Sequence, residues 1–290
     1  MTIAVLFRLV KFEHSLFALP FAAAALVLVA PHARLEPARL ILVALAIVAA
    51  RTAAMAMNRI VDRHFDAANP RTERRELPTG AVSLRTASAL LAVSAASFLA
   101  AAAAIAPLCG VLALPVLAVL LGYSYAKRFT WAAHLWLGMA QALGPIGVAI
   151  ALTGRVPPSI LALGAGVGAW VAGFDILYSL QDREFDERAS LKSIPVRFGV
   201  AGALWWARLL HAGAAAAIPM AGFLAGRGAA WLFGSALMTV IMAAEHAYLT
   251  PNGQLRPERI GAAFFNFNAL ASLAFAACAL ADLALRSAAP

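Results

Sequence analysis

Asn58-Arg-Ile-Val-Asp62-Arg-His-Phe-Asp66 closes a long apolar run that begins near residue 38. Asn58, Asp62 and Asp66 are spaced four apart. Residues at i and i+4 share one face of a helix, about 6 Å of rise from each other. One helix end therefore presents an amide and two carboxylates as a column. A second acidic column stands far downstream: Asp175, Asp182 and Asp186, in Phe174-Asp-Ile-Leu-Tyr-Ser-Leu-Gln-Asp-Arg-Glu-Phe-Asp186. Spacings of seven and four again keep one face. Two acidic columns, both closing apolar helices, read as two halves of one divalent-metal site. Hard cations such as Mg2+ bind a few carboxylates, keep waters and bridge to phosphate oxygens.

The rest of the chain is membrane-like. It has 290 residues, 63% hydrophobic and 13% charged, with mean hydropathy +0.82. Soluble domains run near ~45–50% apolar and ~25% charged. The apolar runs are long and lack period-two alternation, so the spans are helices rather than barrel strands. The net charge of +9 does not argue for nucleic acid, because in a membrane protein excess Lys and Arg mostly set orientation. Cys109 and Cys278 lie inside apolar runs and read as small buried hydrophobes.

Breaks at Pro, Gly and charge clusters give nine expected spans: 14–30, 38–62, 84–105, 107–126, 131–152, 158–181, 201–225, 228–250 and 260–285. The stretch Ser15 to Ala30, behind Arg8 and Lys11, resembles a signal peptide. A second apolar run follows so closely that it reads as an uncleaved first span. Only Pro107 separates the third span from the fourth. One membrane domain covers 1–290. The loops alternate in charge. Arg63, Arg71, Arg74, Arg75 and Arg85 follow span two, and Lys127 and Arg128 follow span four. Arg183, Arg188, Lys192 and Arg197 follow span six, and Arg256 and Arg259 follow span eight. The opposite connections hold little beyond Arg34, Arg39, Arg155 and Arg227. The positive-inside rule puts the N-terminus, the basic loops and both acidic columns at the cytoplasmic face of the bacterial plasma (inner) membrane, with the C-terminus outside.

Acids in or near spans cost ~2.5–3.5 kcal/mol each at the bilayer centre and less at the ends, so stacking them on helix faces is hard to explain as packing. Glu73, Glu76, Glu184 and Glu187 read as solvated charges beside the arginines. Arg51, seven residues before Asn58 on the same face, needs an anionic partner, which the column or a bound phosphate supplies. Lys127, Arg128 and Lys192 stand close to the columns in sequence. Acid, metal and cation together describe a diphosphate site. There is no His-Glu-x-x-His helix, no Walker loop and no Gly-x-Ser-x-Gly elbow. His134, His211 and His246 read as satisfied span residues. Gly138, Gly144, Gly164, Gly166 and Gly168 fit close helix packing. Trp131, Trp136, Trp205, Trp206 and Trp231 fit interfacial belts.

Three stretches carry a family resemblance. The Asn58, Asp62, Asp66 column with Arg75-Glu-Leu-Pro-Thr-Gly80 resembles the first motif of the UbiA family of intramembrane aromatic prenyltransferases. Tyr123-Ser-Tyr-Ala-Lys-Arg-Phe-Thr130 resembles its middle loop. Asp175 through Asp186, running on to Lys192-Ser193 and Phe198-Gly199, resembles its second motif. Two branches are most similar: 4-hydroxybenzoate polyprenyltransferase of ubiquinone synthesis, and the menaquinone branch of the futalosine route, whose acceptor is a dihydroxynaphthoate. Lys11-Phe-Glu-His-Ser-Leu-Phe-Ala-Leu-Pro20 and Phe174-Asp-Ile-Leu-Tyr-Ser179 resemble the second branch.

The resemblance implies an all-helical membrane bundle that transfers a polyprenyl chain from its diphosphate to an aromatic acid. Asn58, Asp62, Asp66, Asp182 and Asp186 would hold Mg2+ on the donor diphosphate. Lys127, Lys192 and Arg51 would balance its remaining charge. Arg128 is a candidate for an acceptor carboxylate, and Asp175 and Tyr178 for orienting the acceptor hydroxyl. The expected partners are the two substrates and membrane lipid, with no nucleic acid and no obligate protein partner. The alternative, an ion-coupled transporter, would use the acidic columns as ion sites, which transporters place near the bilayer midplane.

Overall fold

The computed structural model describes residues 3–11, 19–33 and 35–287. Its elements are α1 (Ile3–Leu9), α2 (Leu19–Val29), α3 (Pro37–Ala68), α4 (Leu84–Ile105), α5 (Pro107–Gly122), α6 (Ala126–Phe129), α7 (Ala133–Thr153), α8 (Pro158–Ser179), α9 (Arg183–Arg188), α10 (Ile194–Leu224), α11 (Ala229–Leu249) and α12 (Ile260–Ser287). Among the described residues there is no strand.

Eight helical segments, not nine, are long and apolar enough to cross a membrane among the described residues. They correspond to the second to ninth expected spans. The expected first span, 14–30, falls partly outside the described residues. Its described part is α2 with a short 3-10 turn to His32. The Lys11–Pro20 motif likewise lies mostly outside, as does Arg34.

Sequence chemistry sets the breaks. Ala106 is extended and Pro107 opens α5, because Pro has no N–H to continue α4 and is preorganised for a first turn. The chain reverses there, and Gly110 packs against Ala103, so spans three and four are two helices. Ser83 caps α4 by accepting from the Thr86 N–H at 3.1 Å. Ser193 caps α10 in the same way, and Gly199 interrupts that helix at φ +68°, a conformation L-residues avoid. The expected seventh span, starting at 201, is the part beyond this kink.

α8 is the most buried span and packs between α7 and α10. Its glycines explain how. A Cβ on Gly138 would lie 2.3 Å from the Gly168 carbonyl oxygen, and one on Gly166 would lie 2.7 Å from Ile218. The backbones approach to distances only glycine permits. Gly144 is different, since a Cβ there would meet nothing within 4 Å. It lines a cavity.

Phe21, Trp170, Trp231 and Phe275 centre the main core. Trp231 is therefore a core residue and not the interfacial one that the sequence led us to expect. It is fully buried and donates Nε1–H to the Ile218 carbonyl at 3.1 Å, which satisfies its one polar atom. Trp205 is exposed on the bundle surface.

The basic loops gather at one end. The turn after α3 meets the end of α8 through Asn69, Arg71 and Asp182. The Lys192 N–H donates to the Lys127 carbonyl at 2.6 Å. Leu249 and Ile260 pack with Ile176, Leu177 and Ile194, so the loop carrying Arg256 and Arg259 lies at that end too.

Candidate functional site

α3 runs 32 residues without a break. At 1.5 Å per residue this is ~48 Å, longer than the ~30 Å hydrocarbon core of a bilayer. The helix thus has room to carry its last two turns beyond the apolar layer. Asn58, Asp62 and Asp66 lie on one face as the spacing predicts, and Asn58 Nδ2 donates to Asp62 Oδ2 at 2.9 Å. The second column is less regular. α8 ends at Ser179, Leu180–Asp182 forms a 3-10 turn, and α9 restarts at Arg183. All three carboxylates of this column, Asp175, Asp182 and Asp186, nevertheless reach the pocket that the first column lines.

All five expected metal ligands, Asn58, Asp62, Asp66, Asp182 and Asp186, line one polar pocket of about 190 Å3. Each carboxylate is neutralised by its own cation. Arg75 Nη1 lies 2.7 Å from Asp66 Oδ1, and Lys127 Nζ lies 2.8 Å from Asp186 Oδ2. Arg71 grips Asp182 with two nitrogens, at 2.7 and 2.6 Å. Arg128 Nη2 is 3.5 Å from Asp62 Oδ1 and donates to the Val61 carbonyl at 2.8 Å.

The turn after α3 delivers the two arginines. Asn69 accepts from the Arg71 N–H and donates to Asp182, while Thr72 Oγ1 donates to the Asp66 carbonyl. Burial opposes the Arg71 charge, but the hydrogen bonds and charge of Asp182 outweigh it and hold the guanidinium above its ordinary pKa.

Among the described residues no three His, Cys, Asp or Glu side chains are grouped to hold a metal. Four unneutralised carboxylates in so small a pocket would repel one another, and the protein supplies one cation for each. The donor set still fits Mg2+ in kind: four carboxylates and one amide oxygen are hard ligands on the walls of one pocket.

Beside this pocket lies an apolar cavity of about 660 Å3, walled mainly by α3, α4, α5, α7 and α8. Asn58, Arg75, Tyr123, Asp175 and Tyr178 line both spaces and mark their junction. Tyr178 OH accepts from Arg71 Nη1 at 3.0 Å. Asp175 Oδ2 and His134 Nδ1 share a hydrogen bond of 2.7 Å.

Two expected diphosphate residues lie elsewhere. Arg51 lines the apolar cavity and donates to the Lys11 carbonyl at 3.0 Å. Lys192 is exposed and its Nζ donates to the Phe129 carbonyl at 3.3 Å. Sequence position placed both near the columns, but the side chains do not line the polar pocket.

Conversely, Arg71 and Arg75 read from sequence as orientation charges, and His134 as a satisfied span histidine. His134 is satisfied, and it is also a wall of the polar pocket. Arg75 opens the Arg-Glu-Leu-Pro-Thr-Gly stretch of the first motif, which was the available signal. Arg71 and His134 offered none.

A family model described as the UbiA prenyltransferase family matches residues 18–281. A 4-hydroxybenzoate octaprenyltransferase of Nitrosomonas eutropha is 31% identical over 254 residues, covering 86% of this chain and 85% of that protein. The apo structure of a UbiA homolog from Aeropyrum pernix K1 superposes with TM-score 0.80 at 33% identity, covering 95% of this chain and 98% of that one. A UbiA homolog from Archaeoglobus fulgidus bound to DMAPP and Mg2+ has the same fold, with TM-score 0.70 at 21% identity, covering 97% of this chain and 99% of that chain.

Proposed function

We propose, on the premise that this chain belongs to the UbiA prenyltransferase family, that it transfers a polyprenyl group from its diphosphate to a hydroxylated aromatic acid in respiratory quinone synthesis. One observation carries the reading: a pocket of five carboxylates and four Lys or Arg side chains opens through a five-residue junction into an apolar cavity. The donor has the same division, a charged head on a lipid-like tail.

Asn58, Asp62, Asp66, Asp182 and Asp186 would hold Mg2+, which when bound acts as a Lewis acid on phosphoryl oxygens. Arg71, Arg75, Lys127 and Arg128 are the chain's own donors for the diphosphate. Each now rests on a carboxylate or beside one, and each exchanges that partner for phosphate oxygens. Their contribution grows as the allylic C–O bond breaks and its electron pair moves onto the diphosphate, which is where catalysis acts. The allylic carbon then lies at the junction. There the acceptor ring supplies the electron pair of the new C–C bond and afterwards loses a proton to a base. Tyr123, Tyr178 and Asp175 wall the junction, and the apolar cavity excludes water from the cation. The gathering of basic loops at the pocket end supports a cytoplasmic active site in the bacterial plasma membrane.

The curated relative's name favours 4-hydroxybenzoate as acceptor. The Phe174–Ser179 form of the second motif favours a dihydroxynaphthoate. The family membership speaks against the transporter alternative.

The deciding experiment uses membranes expressing the protein, with Mg2+ and a long-chain prenyl diphosphate. 4-Hydroxybenzoate and 1,4-dihydroxy-6-naphthoate are supplied separately and products identified by mass. A prenylated hydroxybenzoate that keeps its carboxylate is the expected result. A naphthoate-derived product without its carboxylate reassigns the acceptor. Absence of both products and of diphosphate release overturns the reading.

A further inference from the structure

His134 opens α7 and is 1% exposed. Its Nδ1 shares the 2.7 Å hydrogen bond with Asp175 Oδ2. On its other side, Nε2 lies 3.5 Å from Ser179 Oγ, whose hydroxyl donates to the Ile176 carbonyl at 2.8 Å. The ring is therefore held between two positions of α8, one turn apart. It also bridges α7 to the stretch of α8 that precedes the Leu180–Asp182 turn.

Asp175 differs from the other four carboxylates of the polar pocket. No Lys or Arg pairs with it among the described residues, and it stands at the junction of the two cavities, still partly accessible. One of its oxygens is taken by His134, and Oδ1 makes no protein hydrogen bond among the described residues. An unclamped carboxylate there would rotate about its side-chain torsions. It could also turn toward the Arg71 and Lys127 side of the pocket.

We propose that His134 is a positioning residue for the aromatic acceptor. It locks Asp175 by one oxygen, so that the other receives the acceptor's hydroxyl hydrogen at the junction. This rests on the transferase reading and deepens it, by separating an acceptor-facing pair, His134 and Asp175, from the diphosphate-facing carboxylates. The His134–Asp175 pair is an orienting contact and consumes no proton in itself. The ring proton displaced by the new C–C bond still leaves to a base, as above.

The test measures kcat and KM separately for donor and acceptor in His134→Ala, His134→Asn, Asp175→Asn and the His134→Ala/Asp175→Asn double variant, each in detergent with its melting temperature. Outer partners that orient a functional ligand are worth about 10–100-fold. His134→Ala is expected to lower kcat/KM for the acceptor by about that factor while the donor KM stays within about twofold. Asn, whose side-chain amide nitrogen is bonded to Cγ as Nδ1 is, restores most of the loss. In the Asp175→Asn background His134→Ala adds little, because the two act as one unit.

Equal losses toward donor and acceptor, or full additivity in the double variant, overturn the proposal. So does an acceptor KM and kcat unchanged in His134→Ala. Should His134→Ala fail to fold, the Asn variant and the Asp175→Asn comparison carry the same decision. Wild-type protein that turns over no acceptor refutes the transferase reading instead, so the two failures are distinguishable.

Discussion

Asp182 accepts from Asn69 Nδ2 at 3.1 Å and from two nitrogens of Arg71, a planar fork that matches a carboxylate. The bond geometry makes Arg71 and Asp182 a unit, and the unit faces the pocket. Replacing Asp62 or Asp182 by Ala is expected to cut turnover by at least about 100-fold, the scale of losing a preorganised electrostatic partner of the transition state. The protein should still insert and melt cooperatively. Near-normal turnover in either variant refutes the metal-site assignment. Arg71→Lys keeps the charge but loses the fork. It is expected to weaken donor kcat/KM by about 10-fold or more and leave the acceptor KM unchanged, which steady-state kinetics on both substrates reads directly.

At the scale of elements, the bundle is held by small-residue crossings and by polar bonds inside the spans. Asn268 of α12 donates to Glu245 of α11 at 2.9 Å, and both are 1% exposed. Polar bonds between spans average about 0.6 kcal/mol and reach about 1.7. Leaving one partner buried and unsatisfied costs about 1–3 kcal/mol. Asn268→Ala is expected to lower stability by about 1–2 kcal/mol with donor and acceptor KM unchanged, since neither residue lines the polar pocket. Gly138→Ala sets a Cβ against the Gly168 backbone carbonyl, which cannot swing aside as a side chain does. An overpacking cost of about 1–3 kcal/mol follows, visible as a lower melting temperature in detergent. Unchanged stability would mean that α7 and α8 slide freely past one another.

For the whole molecule, the proposed function has the two cavities divide the donor between them, head in the polar one and tail in the apolar one. Gly144 of α7 lines the apolar one, where an added side chain meets open space. Gly144→Phe is therefore expected to fold normally and fill part of the tail cavity. In competition between octaprenyl and geranyl diphosphate, the variant should shift toward the shorter donor by about 10-fold or more, since each excluded methylene forfeits about 0.8 kcal/mol of burial. An unchanged ratio would place the tail outside this cavity.

Fold class and the shared face of Asn58, Asp62 and Asp66 were legible because each rests on local spacing. Apolar runs of bilayer length leave helices as the only economical backbone, and an i, i+4 column in one unbroken helix must share a face. The pairing of the two columns was legible as an echo, an apolar helix ending in acids with a basic loop behind it, occurring twice. What sequence could not settle is where long, flexible side chains end. Arg51 and Lys192 are near the columns in number but reach the Lys11 and Phe129 carbonyls. Arg71 is in a loop that looks like a topology signal but folds back onto Asp182, 111 positions away. The 3-10 turn at Leu180–Asp182 breaks the second column's regular face, and no residue type there announces it. Trp231 and His134 were misplaced or undervalued because burial and partners are properties of packed neighbours. Local periodicity decided the elements. Only the tertiary structure, by bringing the ends of α3 and α8 and their loops around one pocket, decided which cation meets which carboxylate.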